Sequence, residues 1–251
     1  MTARRALLAL VFAGVFLLGL CVFAPAALVS YAVERASGGA LTLAQTSGSL
    51  WRGAGVLLLR QSARYQALGT YRWNFKPASA ALQVQSGDFA PMLVRYLPIA
   101  GRTAIDHLHL ALPASTLGAL SPQLGPYQLQ GMLDVRSDHL ALGAAGVDGT
   151  IAVDWLQAAS GLSTIRPLGD YRIVLQGSGA AVDAQLSTLS GKLQLSGSGR
   201  FDKTGGMRLT GTAQAAPGAS AGELNELLHH IGPETSPGVF ALALMPQAAA
   251  R

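Results

Sequence analysis

Cysteine is nearly absent from this chain of 251 residues: the single one, Cys21, lies in an uncharged apolar run. A disulfide framework and a cysteine-based metal site are therefore excluded. Charge is scarce at 12% of residues, whereas half of the residues are hydrophobic, a balance that excludes a charge-extended disordered chain and leaves ample material for a core. The net charge of +5 comes without any recognisable nucleic-acid-binding module, so DNA and RNA are excluded as partners.

Catalytic sets are missing as well. A nucleophile with its base, a carboxylate pair or a metal cluster would be required, and the nearest approach is "DHLHL", where His107 and His109 alternate beside Asp106. Two histidines on one strand face without a third ligand at motif spacing read as surface residues. His229 and His230 are adjacent at a helix end, where imidazole complements the dipole, and they form no i, i+4 pair. Glycine-rich "GSGAAVD" and "GSGRFDKTGG" lead from strand to strand, which marks hairpin turns and not phosphate loops; "DKTGG" at Asp202 to Gly206 is one such turn. The expectation is a non-enzyme with no catalytic, cofactor-binding or metal residues and no cofactor.

What is present begins with Arg4 and Arg5, followed by an uncharged stretch from Ala6 through Val33 that is long enough to cross a bilayer as a helix. The expected division is a cytoplasmic N-terminus (1–5), a transmembrane helix (6–33), a β-rich domain (34–245) and a flexible tail (246–251). Ala24-Pro25-Ala26 resembles a signal-peptide cleavage site, but the apolar stretch exceeds an h-region and continues past it, so retention as an anchor is expected. Flanking charge places the N-terminus in the cytoplasm and exports the main domain, to the periplasm where a cell has two membranes. In the membrane-proximal third, Arg35, Arg52, Arg60, Arg64, Arg72, Lys76, Arg95 and Arg102 face only Glu34 and Asp88. Such a basic portion suits anionic lipid headgroups or an acidic partner.

Beyond Ser37, short period-two runs are punctuated by glycine. Ile151, Val153 and Trp155 share one face of "GTIAVDWL", opposite Ala152 and Asp154; Tyr171, Ile173 and Leu175 do the same in "DYRIVLQG", and Leu193 with Leu195 in "GKLQLSG". Connections this short predict mostly antiparallel neighbours, hence a mainly β fold: an extended, curved antiparallel sheet with a few short helices. One helix is marked in "SAGELNELLHHIGP", with Ser220 at the N-cap, Glu223 three residues on, a stripe of Leu224, Leu227, Leu228 and Ile231, and a Gly232-Pro233 stop. Shorter helical turns are expected at Phe89 to Leu97 and at Pro113 to Leu120.

In "GSLWRGAG", Gly48 to Gly55, glycines allow a tight entry into a strand and Trp51 can cap the first core layer. Together with the anchor, "YRWNFKPASAAL", "LQGMLDVRSDHLAL", "GTIAVDWLQAASGLSTIRPLGDYRIVLQG" and the "LNELLHHIG" helix, in that order over nearly the whole chain, it resembles the type II secretion system protein N family. The resemblance implies a single-pass inner-membrane protein with a periplasmic β domain, accessory to the export of folded proteins across the outer membrane. Its implied partners are other inner-membrane platform proteins and the linker to the secretin. Trp51, Arg52, Gly53 and Trp73 are nominated as a structural or partner-contact signature, with Arg52 free to reach a headgroup or a partner. A tethered sheet with one apolar face also resembles AsmA-like envelope proteins that handle lipid, in which Ile151, Val153, Ile173, Leu175, Leu193 and Leu195 would line a groove.

Overall fold

The computed structural model describes residues 19, 23–61, 64–120, 124–202, 206–219 and 221–244. The glycine-punctuated alternation folds as strands that pair with their sequence neighbours, every assigned pairing being antiparallel, with a few short helices. The mainly β, antiparallel expectation holds, because each short connection returns the chain alongside the strand it has just left. Contacts divide the chain into two compact units, 1–88 and 89–251.

The first unit holds a helix, α1 (Ala27–Ala36), and strands β1 (Leu41–Gly48), β2 (Arg52–Gln61), β3 (Arg64–Lys76) and β4 (Ala81–Ser86). Their order in the sheet is their order in the chain. Ala26, Leu43 and Trp73 are buried together, with Val29 and Val33 of α1 and Leu57 and Leu82 of the sheet packed against them. The helix is further tied to β1 by Ser30, whose hydroxyl donates to the Leu43 carbonyl at 2.7 Å. Most of the expected spanning segment 6–33 lies outside the described residues. Its described end is a turn at Ala24–Ala26 followed by α1, and among the described residues no helix is long and apolar enough to cross a membrane. Ala24 and Ala26 are buried: the Ala24 carbonyl accepts from Leu50 N–H at 2.8 Å, and Ala26 N–H donates to the Gly48 carbonyl.

The second unit runs β5 (Met92–Leu97), β6 (Arg102–Pro113), α2 (Ser115–Leu120), β7 (Gln130–Gly143), β8 (Gly146–Ala159), β9 (Gly169–Gly179), β10 (Ala181–Gly191), β11 (Leu193–Asp202) and β12 (Gly206–Ala215). It ends with α3 (Ala221–Ile231), β13 (Glu234–Ser236) and β14 (Val239–Leu244). Strand β14 inserts between β12 and the three-residue β13, so the sheet finishes on a very short edge, a device that discourages pairing with other chains. Helix α3 buries Leu224, Leu227 and Leu228 against Leu193, Ala213 and Phe240, with Ile231 at the margin, as its apolar stripe predicts. The capping residue Ser220, the "DKTGG" turn between the paired Asp202 and Gly206, and the tail 246–251 lie outside the described residues.

One expectation is corrected. The segment from Phe89 to Leu97 is not helical: Met92–Leu97 is strand β5, paired with β6 from Leu93↔Asp106 to Leu97↔Arg102. "MLVRYL" is compatible with either period, and a partner strand reached through the tight turn at Pro98–Gly101 decides for the strand. The short helix expected at Pro113 to Leu120 forms as α2.

Candidate functional site

Strand alternation divides the "GSLWRGAG" residues between two faces of the first unit's sheet. Gly53 pairs with Trp73 across β2 and β3, and the indole lies over the glycine, where an added Cβ would stand 2.5 Å from Cζ2 of the ring. The Trp73 indole N–H is shared between the carbonyls of Ser49 and Leu50, both at 3.2 Å, which lets a buried polar group keep its partners. Gly48 turns the chain with φ of 90° opposite Gly53, and the Arg52 carbonyl accepts from Ser49 N–H at 2.8 Å to close the turn. Beyond it, Trp51 stacks on Phe75 with ring centroids 5.6 Å apart.

These aromatic rings help to line a cavity of about 630 Å³ bounded by α1 and β1–β4. Its walls are apolar: Val29 and Val33 from the helix, Leu43, Leu57, Leu82 and Val84 from the strands, with Trp51, Trp73 and Phe75. Trp51, Gly53 and Trp73 of the nominated signature thus belong to the covered face.

Arg52 belongs to the other face. It pairs with Asn74, and the residues diagonal to it on the same face of β3 are Arg72 and Lys76. All three cations are exposed, and such diagonal neighbours lie about 7–8 Å apart along a sheet, within reach of long side chains. The ion pairs among the described residues all join residues beyond Asp88, so no described carboxylate compensates this cluster. The sequence named Arg72 and Lys76 only as part of the basic portion; their grouping with Arg52 on one face needs the register, although "YRWNFK" alternates aromatic and polar residues without interruption.

In the second unit several charges are paired. Arg95 and His139 both hold Asp106 at 2.6 Å, and Arg102 lies 3.3 Å from Asp148. Asp134 contacts Arg136 and, at 2.9 Å, His109. Asp154, buried, receives two bonds from Arg172 at 2.6 and 2.7 Å. Hydrogen bonds from His139, Arg136 and Arg172 respectively are the main reason that Asp106, Asp134 and Asp154 ionise below the usual carboxylate range, with desolvation opposing. Burial pushes the Tyr171 phenol the other way, and its hydroxyl donates to the Leu193 carbonyl at 3.0 Å. His107 takes φ of 57°, which interrupts the regular alternation on which the expectation of one strand face for His107 and His109 rested. Among the described residues no three His, Cys, Asp or Glu side chains are grouped as metal ligands would be. His229 packs edge-on against Phe240, and His230 Nδ1 lies 2.9 Å from the Glu226 carbonyl.

The opposite face of the second unit is apolar and unevenly covered. Leu193 is buried under α3 and Leu195 packs at its margin, whereas Ile151, Val153, Ile173 and Leu175 are half-buried and stand outside that core cluster.

Residues 39–243 match the family model described as type II secretion system (T2SS), protein N. The chain belongs to that family. The matched region starts just after α1 and runs into β14, so it takes in the strands of both units, including the four that wall the cavity. Membership in the protein N family implies interaction with other secretion components and suggests an envelope location. No curated protein and no solved structure matches the chain.

Proposed function

We propose that this chain is an accessory inner-membrane component of the type II secretion system. Its N-terminal segment tethers it with the amino terminus in the cytoplasm, and its β units make periplasmic contacts during export of folded proteins. The observation that carries this reading is the exposed, uncompensated cluster of Arg52, Arg72 and Lys76 within the family-matched region. Cations without local carboxylates raise the potential over that face, steer an acidic surface toward it and fix its register, with an effect that salt weakens. The partners are platform proteins or the secretin linker, and the role is binding without catalysis. Burial of Ala24 and Ala26 against the β1–β2 turn supports retention of the N-terminal segment.

Site-specific photo-crosslinking in cells with an active secretion system tests this. A photoreactive residue at position 72 is expected to capture a secretion component, while one at position 84, inside the cavity, captures none. Failure of position 72 to capture any component counts against the reading.

The half-buried Ile151, Val153, Ile173 and Leu175 favour a second reading, an envelope protein that handles lipid along the apolar face of the second unit. If deletion of the gene leaves export of folded proteins intact while permeability to lipophilic compounds changes, this second reading replaces the first.

A further inference from the structure

The cavity between α1 and β1–β4 has chemistry that neither the acidic-partner surface nor the second unit uses. We infer that it binds a single lipid acyl chain. Its lining is almost wholly apolar: the Trp73 indole N–H is spent on Ser49 and Leu50, and the remaining walls are Val, Leu, Ala and the rings of Trp51, Tyr71 and Phe75. An occupant gains nothing there from a donor or acceptor and gains most from methylenes. At about 630 Å³ the cavity falls in the range of small-molecule sites, roughly 300–1,000 Å³.

Size also separates a lipid chain from a protein segment. An α-helix with side chains is about 10–12 Å across and rises about 5.4 Å per turn, so this space would take little more than one turn of it. A methylene chain is less than half as wide and fits along the trough between helix and sheet. Arg35, exposed at the end of α1, is a cation on the cavity's helical wall that complements the anionic end of a fatty acid or an acidic phospholipid, whereas Arg52, Arg72 and Lys76 stand on the opposite face of the sheet. The helical wall is continuous in sequence with the uncharged run from Ala6.

The inference rests on the first unit's geometry and is independent of the secretion reading. The test uses the full chain in mild detergent and follows quenching of tryptophan fluorescence by brominated stearate, and separately by vesicles of brominated phosphatidylglycerol. Saturable quenching is expected. Stearate acting alone assigns a free fatty acid, and vesicles acting as well assign a membrane phospholipid. Ala32→Phe, which projects a ring from α1 into the cavity, should abolish the saturable part, and Val84→Phe should do the same from the sheet if the first variant fails to fold. Arg72→Glu should keep it. Quenching that never saturates, or that survives both filling variants, overturns the inference, as does capture of a protein by a photoreactive residue at position 32 without any quenching by lipid. Crosslinking from position 72 that persists in Ala32→Phe separates failure of this site from failure of the partner surface.

Discussion

An added methyl at Gly53 would stand 2.5 Å from the Trp73 ring and 2.6 Å from the Ser47 carbonyl oxygen, closer than packed atoms tolerate. Either the indole moves and leaves the Ser49 and Leu50 carbonyls, or the β1–β2 turn opens. Gly53→Ala is therefore predicted to destabilise by about 1–3 kcal/mol, read as a lower urea midpoint at unchanged m-value. Asp154 offers a pH test. Its folded pKa is depressed, so the Arg172 contact stabilises above the unfolded value of about 3.9 and is lost as pH falls through the folded value. Asp154→Asn should be less stable than the natural chain at pH 7 by about 1–3 kcal/mol, and denaturation series should show that gap closing below about pH 4. The residues of the "GSLWRGAG" element were legible as a group because tryptophan between glycines is unusual. Their division was less so, since facing depends on the register with β3, where Trp73 pairs with Gly53 and Asn74 with Arg52.

At the scale of elements, α3 was readable because its apolar stripe has only one good helical period and ends at Gly232-Pro233. The structure places that stripe on Leu193, Ala213 and Phe240. Leu228→Ala, which removes a fully packed side chain, should cost about 2–5 kcal/mol by thermal or urea unfolding, while an exposed neighbour such as Glu226→Ala should be nearly neutral. Strand β5 shows the limit of such reading. Its six residues fit a helix turn or a strand equally, and the choice is made by hydrogen bonds to β6, a tertiary fact that no local pattern carries. The cavity was hidden for a related reason: it exists only because α1 stands over the sheet, and most of α1 belongs to the end of a run whose composition speaks of a membrane.

Charge organises the whole molecule. The basic membrane-proximal third was visible in the sequence, yet Arg95 and Arg102 find Asp106 and Asp148 within the second unit. The ion pairs among the described residues therefore all lie in the second unit, and in the first Arg52, Arg72 and Lys76 share one face without any. Neutralisation by partners distant in sequence could not be anticipated from counting. On the secretion reading, this cationic face serves export by contacting an acidic partner. A strain lacking the gene, complemented at matched protein levels with the natural chain or with the Arg52→Glu, Arg72→Glu, Lys76→Glu variant, puts it to the test through the fraction of an exported protein held in the periplasm. Normal release with the natural chain and periplasmic retention with the variant are expected; equal release from both strains would rule out a role for the cationic face in secretion.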